Sequence, residues 1–92
     1  MQKSLDIQLL VSEFYRVPMD NLHSKSRCAS AVRARHVAMY LVRRHCGLSF
    51  PKIGAIFDRD ASTVQHAARK VAEDSGSLRD EVAALCAMIQ PR

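Results

Sequence analysis

The chain has 92 residues, of which 48% are hydrophobic and 25% are charged, and its formal net charge is +5. This length and composition are typical of one globular domain with a modest core and exclude a disordered chain, and the lack of any apolar run near ~20 residues excludes a membrane span. Residues 21–57 contain seven lysines and arginines and no acidic residue, which favours a polyanionic partner and leaves nucleic acid, an anionic membrane surface and an acidic protein open.

The N-terminal part of the sequence predicts one helix, one short turn and a loop. Apolar residues at i, i+3, i+4 and i+7 spacing predict a helix over residues 5–15. Pro18 ends that helix, and residues 18–22 are predicted to form one short turn. The basic, small-residue segment 23–28 then predicts a loop, which we expect to be mobile.

The middle of the sequence predicts a long helix followed by a short one. The long helix is predicted over residues 29–45, and Gly47 is a natural C-cap because glycine tolerates the left-handed conformation. Ser49 is suited to cap the short helix, residues 50–57, because its hydroxyl oxygen can accept a hydrogen bond from a terminal amide. Pro51 is tolerated in the first turn, where amide donors have no helical partner.

Three polar residues, 58–60, interrupt the helical pattern. Asp60 is predicted to be the N-cap of a fourth helix, through a hydrogen bond to its carboxylate from an amide of the first turn. A last helix is predicted after residues 75–77, and no segment has a strand pattern. The predicted fold class is therefore all-α, with residues 1–92 forming a single compact domain of about five to six helices.

Residues 49–72 have the pattern of a helix-turn-helix: a short helix, a three-residue polar break and a helix with a small-residue inner face. Gly54 costs about 1 kcal/mol in a helix interior relative to alanine, which predicts that the two helices pack closely there. The second helix begins with short polar side chains that fit a groove about 12 Å wide. Spacing alone also fits helical hairpins of other functions.

The segment RDASTVQHAARK, residues 59–70, resembles the signature of the C-terminal DNA-binding domain of the bacterial replication initiator DnaA family. The resemblance extends to SKSR (24–27), VRARHVAM (32–39) and SFPKIG (49–54) and covers about residues 5–90. It implies a Trp-repressor-like fold and sequence-specific binding of double-stranded DNA at sites like the initiator's boxes. Such binding would serve replication initiation or its regulation, with other replication proteins as further partners.

The resemblance implies roles for individual positions of this sequence. Arg27 falls where the family inserts an arginine into the narrow, electronegative minor groove of A·T-rich DNA; a solvated loop cation is the other interpretation. Major-groove base contacts are implied for Asp60, Ala61, Ser62 and Thr63, and for Asp60 the role of a pure helix cap stays open. Contacts to the DNA backbone are implied at or near Lys25, Arg35, His36, Arg43, Phe50, Pro51, Lys52 and His66.

The sequence departs from the family pattern at the start of the second helix. Ala61 stands where the family typically has histidine. The turn 57–59 is one residue shorter than in the family, because Asp58 alone stands where the family usually has two glycines before the arginine. Asp58 adds a negative charge near the same place. The sequence also contains no G-x-x-x-x-G-K-[ST] phosphate-binding loop, so we expect a DNA-binding protein that is not an enzyme and has no ATPase activity.

No cofactor, metal, membrane or small-molecule substrate is expected. Cys28, Cys46 and Cys86 are odd in number and form no C-x-x-C pair, so neither a disulfide framework nor a zinc site is predicted. Two alternatives to box recognition stay open: a stand-alone helix-turn-helix transcriptional regulator, and a helical protein-interaction module whose basic face is incidental. The expected location is the cytoplasm, in association with the nucleoid.

Overall fold

The computed structural model describes residues 4–25 and 27–89, and the regular secondary structure of these residues is entirely helical. They form α1 (Ser4–Tyr15), α2 (Met19–His23), α3 (Ala29–Cys46), α4 (Phe50–Phe57), α5 (Ala61–Glu73) and α6 (Ser77–Ile89). The predicted all-α class is confirmed, and the predicted helix boundaries agree closely with the observed ones. Ser26, in the middle of the basic segment, lies outside the described residues.

Helix α3 is the centre of the fold, because α1, α2, α4 and α5 all pack against it. Since neighbours surround it, its apolar positions form a broad band rather than a narrow stripe. Each large apolar side chain that such a helix buries contributes about 1.5–3 kcal/mol relative to an exposed position. The buried apolar residues of α3 are Ala31, Ala34, Val37, Ala38, Met39, Leu41 and Val42.

Helix α6 is tied to α1 and α3 by a polar cluster. The Tyr15 hydroxyl donates to a Glu81 carboxylate oxygen at 2.8 Å, and Arg33 Nε donates to the same oxygen at 3.0 Å. The hydrogen bond from Arg33 lowers the pKa of Glu81, whereas burial and then Glu81 raise the pKa of Tyr15. Arg33 Nη2 also donates to Ser77 Oγ at 3.2 Å, so this cation is already occupied within the protein.

Two capping residues set where α3 ends and α4 begins. Gly47 has a φ of 68° and donates its amide to the Arg43 carbonyl at 3.1 Å, so it ends α3 in the left-handed conformation predicted for it. Ser49 Oγ accepts a hydrogen bond from the Lys52 amide at 3.3 Å, which is the N-cap bond predicted for α4. Together the two caps keep the connection between these helices short.

The turn between α4 and α5 is closed by backbone contacts around Gly54. Asp58 adopts a φ of 57°, a left-handed conformation that aspartate tolerates better than most residues. The Arg59 amide donates to the Gly54 carbonyl at 2.8 Å, and a Cβ atom on Gly54 would collide with the Arg59 carbonyl oxygen. The close packing predicted from Gly54 is therefore confirmed, and a single left-handed residue is enough to make the shortened turn.

Two expectations about this part of the molecule are wrong. His23 belongs to α2 rather than to a mobile loop, and its imidazole lies within hydrogen-bonding distance of Gln8 Oε1 (2.6 Å) and the Ile56 carbonyl oxygen (2.9 Å). The ring also stacks on Phe57, so contacts with α1 and α4 hold the start of the basic segment. Asp60 occupies the N-cap position of α5, but its side chain makes no capping hydrogen bond.

We expect Gly54→Ala to lower the free energy of unfolding by about 1–3 kcal/mol, because the added methyl group meets the backbone carbonyl of Arg59, which cannot rotate away. Gly76→Ala is the matched control, since its Cβ would meet only Asp74 Oδ1 at 3.5 Å. That change should alter stability by no more than about 0.5 kcal/mol. Urea denaturation followed by circular dichroism measures both, and equal effects would contradict the assigned role of Gly54.

Candidate nucleic-acid interface

Helix α5 has one buried face and one exposed face. Its buried residues are Val64, Ala67, Ala68 and Val71. This inner side packs closely against both α3 and α4. Because the helix is held along its inner side, its outer side chains can meet a partner without rearrangement of the backbone. The exposed residues of the helix are Ser62, Thr63, Gln65, His66, Arg69, Lys70, Ala72 and Glu73.

The predicted base-reading residues lie together at the N-terminal end of α5. Asp60, Ser62 and Thr63 are exposed, whereas Ala61 is half-buried. Because the Asp60 side chain makes no capping bond, its carboxylate is not committed to the amides of its own helix. A shallow groove of about 380 Å³ beside this turn is lined by Lys25, Gly54, Ala55, Asp58, Arg59, Asp60 and Thr63.

The basic loop lies beside the turn that precedes α5. Lys25 Nζ is 3.7 Å from Asp58 Oδ2 and 3.4 Å from the Asp58 carbonyl oxygen. The two side chains are 75% and 85% exposed, so the ion pair contributes little to stability and is readily exchanged for another anion. Arg27, two residues further on, is exposed as well. The loop that the resemblance assigns to the minor groove is thus adjacent to the start of α5.

Arg27, His36 and Lys70 line a common groove of about 400 Å³ between the loop, α3 and α5. Burial lowers the pKa of His36, and the nearby cations Lys70 and Arg35 lower it further. The imidazole is therefore neutral at neutral pH. It can offer a hydrogen bond to a phosphate, but not a full positive charge.

Arg43 and Phe50 form the flank on the side of α4. The Arg43 guanidinium lies over the Phe50 ring, 4.4 Å from its centroid, and Nη1 donates to the Leu48 carbonyl at 2.8 Å. Pro51 and Lys52 are exposed at the start of α4. Pro51 has no amide hydrogen and the Lys52 amide donates to the capping serine, so an anion at this helix terminus would be bound mainly by side chains.

Arg35 is a predicted site residue that the structure does not bring to this surface. It is 5% exposed, and its guanidinium donates to the carbonyls of Leu22 at 3.0 Å and Asn21 at 2.8 Å. The helical spacing could have indicated that Arg35 is buried, because it shares a helix face with the buried Ala31 and Met39. A charge on a buried face must be satisfied within the protein, and the end of α2 supplies the acceptors.

Arg59 makes a set of contacts that the sequence reasoning did not anticipate. Its Nη2 donates to the Ser24 carbonyl at 2.6 Å. Its Nη1 donates to the carbonyls of Phe57 at 2.9 Å and Asp58 at 3.1 Å. These acceptors are backbone atoms of segments about 35 residues apart in the chain, so no spacing pattern could have indicated them.

The described residues hold no cluster of metal-binding side chains: nowhere in 4–25 or 27–89 do three or more histidine, cysteine, aspartate or glutamate residues come together. None of the three cysteines, all of which fall in this part of the chain, is in a disulfide. None of the described helices combines the length and the apolar character needed to cross a membrane.

The fold and the surface together define the class of protein. Helix α4, the turn 58–60 and helix α5 form a helix-turn-helix, whose second helix is buried on its inner side and polar on its outer side. Cations flank this second helix: Lys25 and Arg27 lie in the loop, and Arg43 lies on α3. The chain is therefore a helix-turn-helix protein with a basic rim.

Comparison with known sequences gives the family. A family model described as the bacterial dnaA protein helix-turn-helix matches residues 5–71, and the chain belongs to this family. Its relatives include the chromosomal replication initiator proteins DnaA of Burkholderia vietnamiensis (strain G4 / LMG 22486), Burkholderia mallei (strain SAVP1) and Burkholderia pseudomallei (strain K96243), each 42% identical over 72 residues. The matched segment is 77% of this chain and 14% of each relative, so the chain spans a small part of their length.

The lowered pKa of His36 predicts that acid destabilises the free protein. Below pH ~6.5, the value for an unperturbed histidine, the unfolded chain takes up a proton that the folded chain resists, so stability falls as the pH drops from that value through the lower folded pKa. We expect His36→Gln to reduce the fall in thermal midpoint between pH 7 and pH 5. Part of the fall should remain, because burial and Arg44 also lower the pKa of His45.

Lys70→Met is the matched variant, since it removes a neighbouring cation and should move the pKa of His36 upward. A titration of the His36 imidazole by nuclear magnetic resonance measures that shift. An identical pH dependence of stability in the wild type and His36→Gln would contradict the prediction.

Proposed function

We propose that the chain binds double-stranded DNA sequence-specifically, at sites like the boxes of the initiator, and acts in replication initiation or its regulation by binding alone. The observation that carries the proposal is the exposed, uncommitted polar turn at the start of α5, placed between cations of the loop and of α3. The short polar side chains of this turn suit base edges in the major groove, and the cations suit the phosphates on either side.

Base reading is assigned to the first turn of α5. Thr63 is exposed and can place its methyl group against a thymine methyl, and Ser62 can bond to a base edge. The Asp60 carboxylate makes no capping bond, which favours a base-reading role over a pure capping role. There it would accept a hydrogen bond from a cytosine amino group. Ala61 offers only a methyl group, so it would contribute apolar contact.

Contacts with the DNA backbone are assigned to the exposed residues around that turn. Arg43 is oriented in advance by the Phe50 ring and the Leu48 carbonyl, which reduces the entropy lost when it meets a phosphate. Lys25, Lys52 and His66 are exposed, and the neutral imidazole of His36 adds a hydrogen bond. Pro51 would contribute apolar contact beside Phe50. Arg35 is not part of the proposed interface, because its guanidinium is buried against the end of α2.

A single change in each class separates base reading from backbone contact. Thr63→Ala should cost about 1–3 kcal/mol on the preferred site and relax the preference there, since only that site presents the thymine methyl. Arg43→Ala should weaken binding to every duplex and reduce the slope of log K against log salt by about one. A selection of bound duplexes from a random pool supplies the preferred site, and fluorescence anisotropy from 50 to 200 mM salt, a range in which phosphate contacts are sensitive, measures both effects.

Arg79→Ala is the control for Arg43→Ala, because it removes the same charge from an exposed position on α6, outside the helix-turn-helix. It should leave affinity and salt slope nearly unchanged, because Arg79 lies beside the C-terminal end of α5, at the opposite end of that helix from the base-reading turn. Equal effects of Thr63→Ala and Arg43→Ala on selected and random duplexes would contradict the assigned roles. Equal affinity of the wild type for both duplexes would contradict sequence-specific binding itself.

A second candidate, a protein-interaction module, is favoured by one observation. Leu5, Leu9 and Met88 are large apolar residues of α1 and α6 that are 44–56% exposed. Association through such a surface would depend weakly on salt, whereas binding through several phosphate contacts weakens steeply as salt rises. The same titration therefore distinguishes the two functions.

A further inference from the structure

We infer that Arg59 is a positioning residue that couples the two DNA-reading elements of the proposed interface. Its guanidinium joins the loop that carries Arg27 to the turn that begins α5. The inference rests on the proposed function and deepens it, because it says how a minor-groove contact and a major-groove contact are kept at a fixed separation.

The coupling is carried by three hydrogen bonds from one planar group. Nη2 donates to the Ser24 carbonyl at 2.6 Å, at the start of the loop. Nη1 donates to the carbonyls of Phe57 and Asp58 at 2.9 and 3.1 Å, in the turn before α5. Hydrogen bonds from a charged donor are stronger than neutral ones, and the rigid fork of the guanidinium fixes the angle between its acceptors.

Both ends of this connection are themselves held in place. On the side of the turn, the Arg59 amide donates to the Gly54 carbonyl at 2.8 Å, so the residue that carries the guanidinium is fixed to α4. On the side of the loop, the buried Arg35 donates to the carbonyls of Asn21 and Leu22. An arginine of α3 therefore holds the end of α2, just before the loop, and Arg59 holds Ser24 itself.

The anchor lies close enough to Arg27 to restrict it. Two residues lie between Ser24 and Arg27, so their Cα atoms are at most about 11 Å apart. Arg27 itself is exposed, so its position relative to α5 depends on where the loop begins. The nearby ion pair of Lys25 with Asp58 acts in the same sense but is exposed on both sides, so it restrains the loop far less than the half-buried Arg59 does.

The same geometry argues against a direct phosphate contact by Arg59. Three of the five N–H donors of the guanidinium already go to backbone carbonyls, and a phosphate that displaced these bonds would leave the carbonyls without this donor. Loss of the side chain should therefore impair the reading of the minor groove by Arg27 and spare the reading of the major groove by Thr63. Loss of a residue with a merely structural role would impair minor-groove reading and major-groove reading alike.

Two base analogues report on the two grooves independently. Replacing an adenine with 2,6-diaminopurine adds an amino group to the minor groove and leaves the major-groove edge of the A·T pair unchanged, whereas replacing a thymine with uracil removes only the major-groove methyl. Each A·T pair of the selected site is substituted in turn. Wild-type protein should lose about tenfold in affinity with diaminopurine under Arg27 and a similar factor with uracil under Thr63.

Arg59→Met removes the donors and keeps the length of the side chain. We expect it to remove the diaminopurine penalty, as Arg27→Ala does, and to keep the uracil penalty. The double variant Arg27→Ala/Arg59→Met should bind within about threefold of the weaker single variant, because residues that act as one unit are not additive. Arg59→Lys keeps the charge without the fork and should recover only part of the diaminopurine penalty.

Several results would overturn the inference. A full diaminopurine penalty in Arg59→Met would show that the loop needs no such anchor, and a lowered salt slope beside that penalty would indicate a phosphate contact. Loss of both penalties in Arg59→Met would indicate general disruption of the interface. Additive losses of affinity in the double variant would indicate that Arg59 makes a contact independent of Arg27. If Arg59→Met does not fold by circular dichroism, Arg59→Lys is judged by the same criteria. A wild type that does not distinguish selected from random duplexes would overturn the proposed function as well.

Discussion

The contact between Gly54 and the carbonyl of Arg59 is the constraint on which the rest of the site depends. A Cβ atom at position 54 would collide with this carbonyl, so only glycine permits the close approach. With glycine there, the chain passes from α4 to α5 in a short turn that uses one left-handed residue, Asp58. The approach of the helices that it allows buries the inner face of α5 and leaves the other side available. It also fixes the backbone from which the Arg59 side chain reaches the loop.

The basic residues divide into two groups according to their partners, and net charge says nothing about that division. Arg33 lines the groove beside Arg27 but donates to Glu81 and Ser77, and Arg35 is buried against α2, so donors of both are already used within the protein. Arg27 and Arg43 are exposed, and although Arg43 donates through Nη1 to the Leu48 carbonyl, its Nη2 can still meet a phosphate. A cation whose donors are occupied within the protein would have to break those bonds before it could meet a phosphate. The proposed interface is therefore smaller than the count of lysines and arginines indicates.

Much of the fold could be predicted because it depends on local rules. Apolar spacing located the helices, and the caps at Gly47 and Ser49 act as their residue types predict. Asp60 shows the limit of such rules: it has the right type and position for a capping bond and does not make one. The prediction that His23 lies in a mobile loop was wrong for a different reason, since the partners of its imidazole, Gln8 and Ile56, lie on other helices.

The sequence by itself determined the helices, their caps, the helix-turn-helix and the family, because all of these are encoded in residue types at short spacing. Only the tertiary structure decided which cations are available and which are structural, because that depends on carbonyl groups brought together from distant segments. Arg35 and Arg59 show this most directly: both are arginines within recognisable motifs, and both donate to backbone of the segment around residue 22. Hydrogen-bond acceptors on the backbone carry no sequence signature, so their pairing emerges only once the chain has folded.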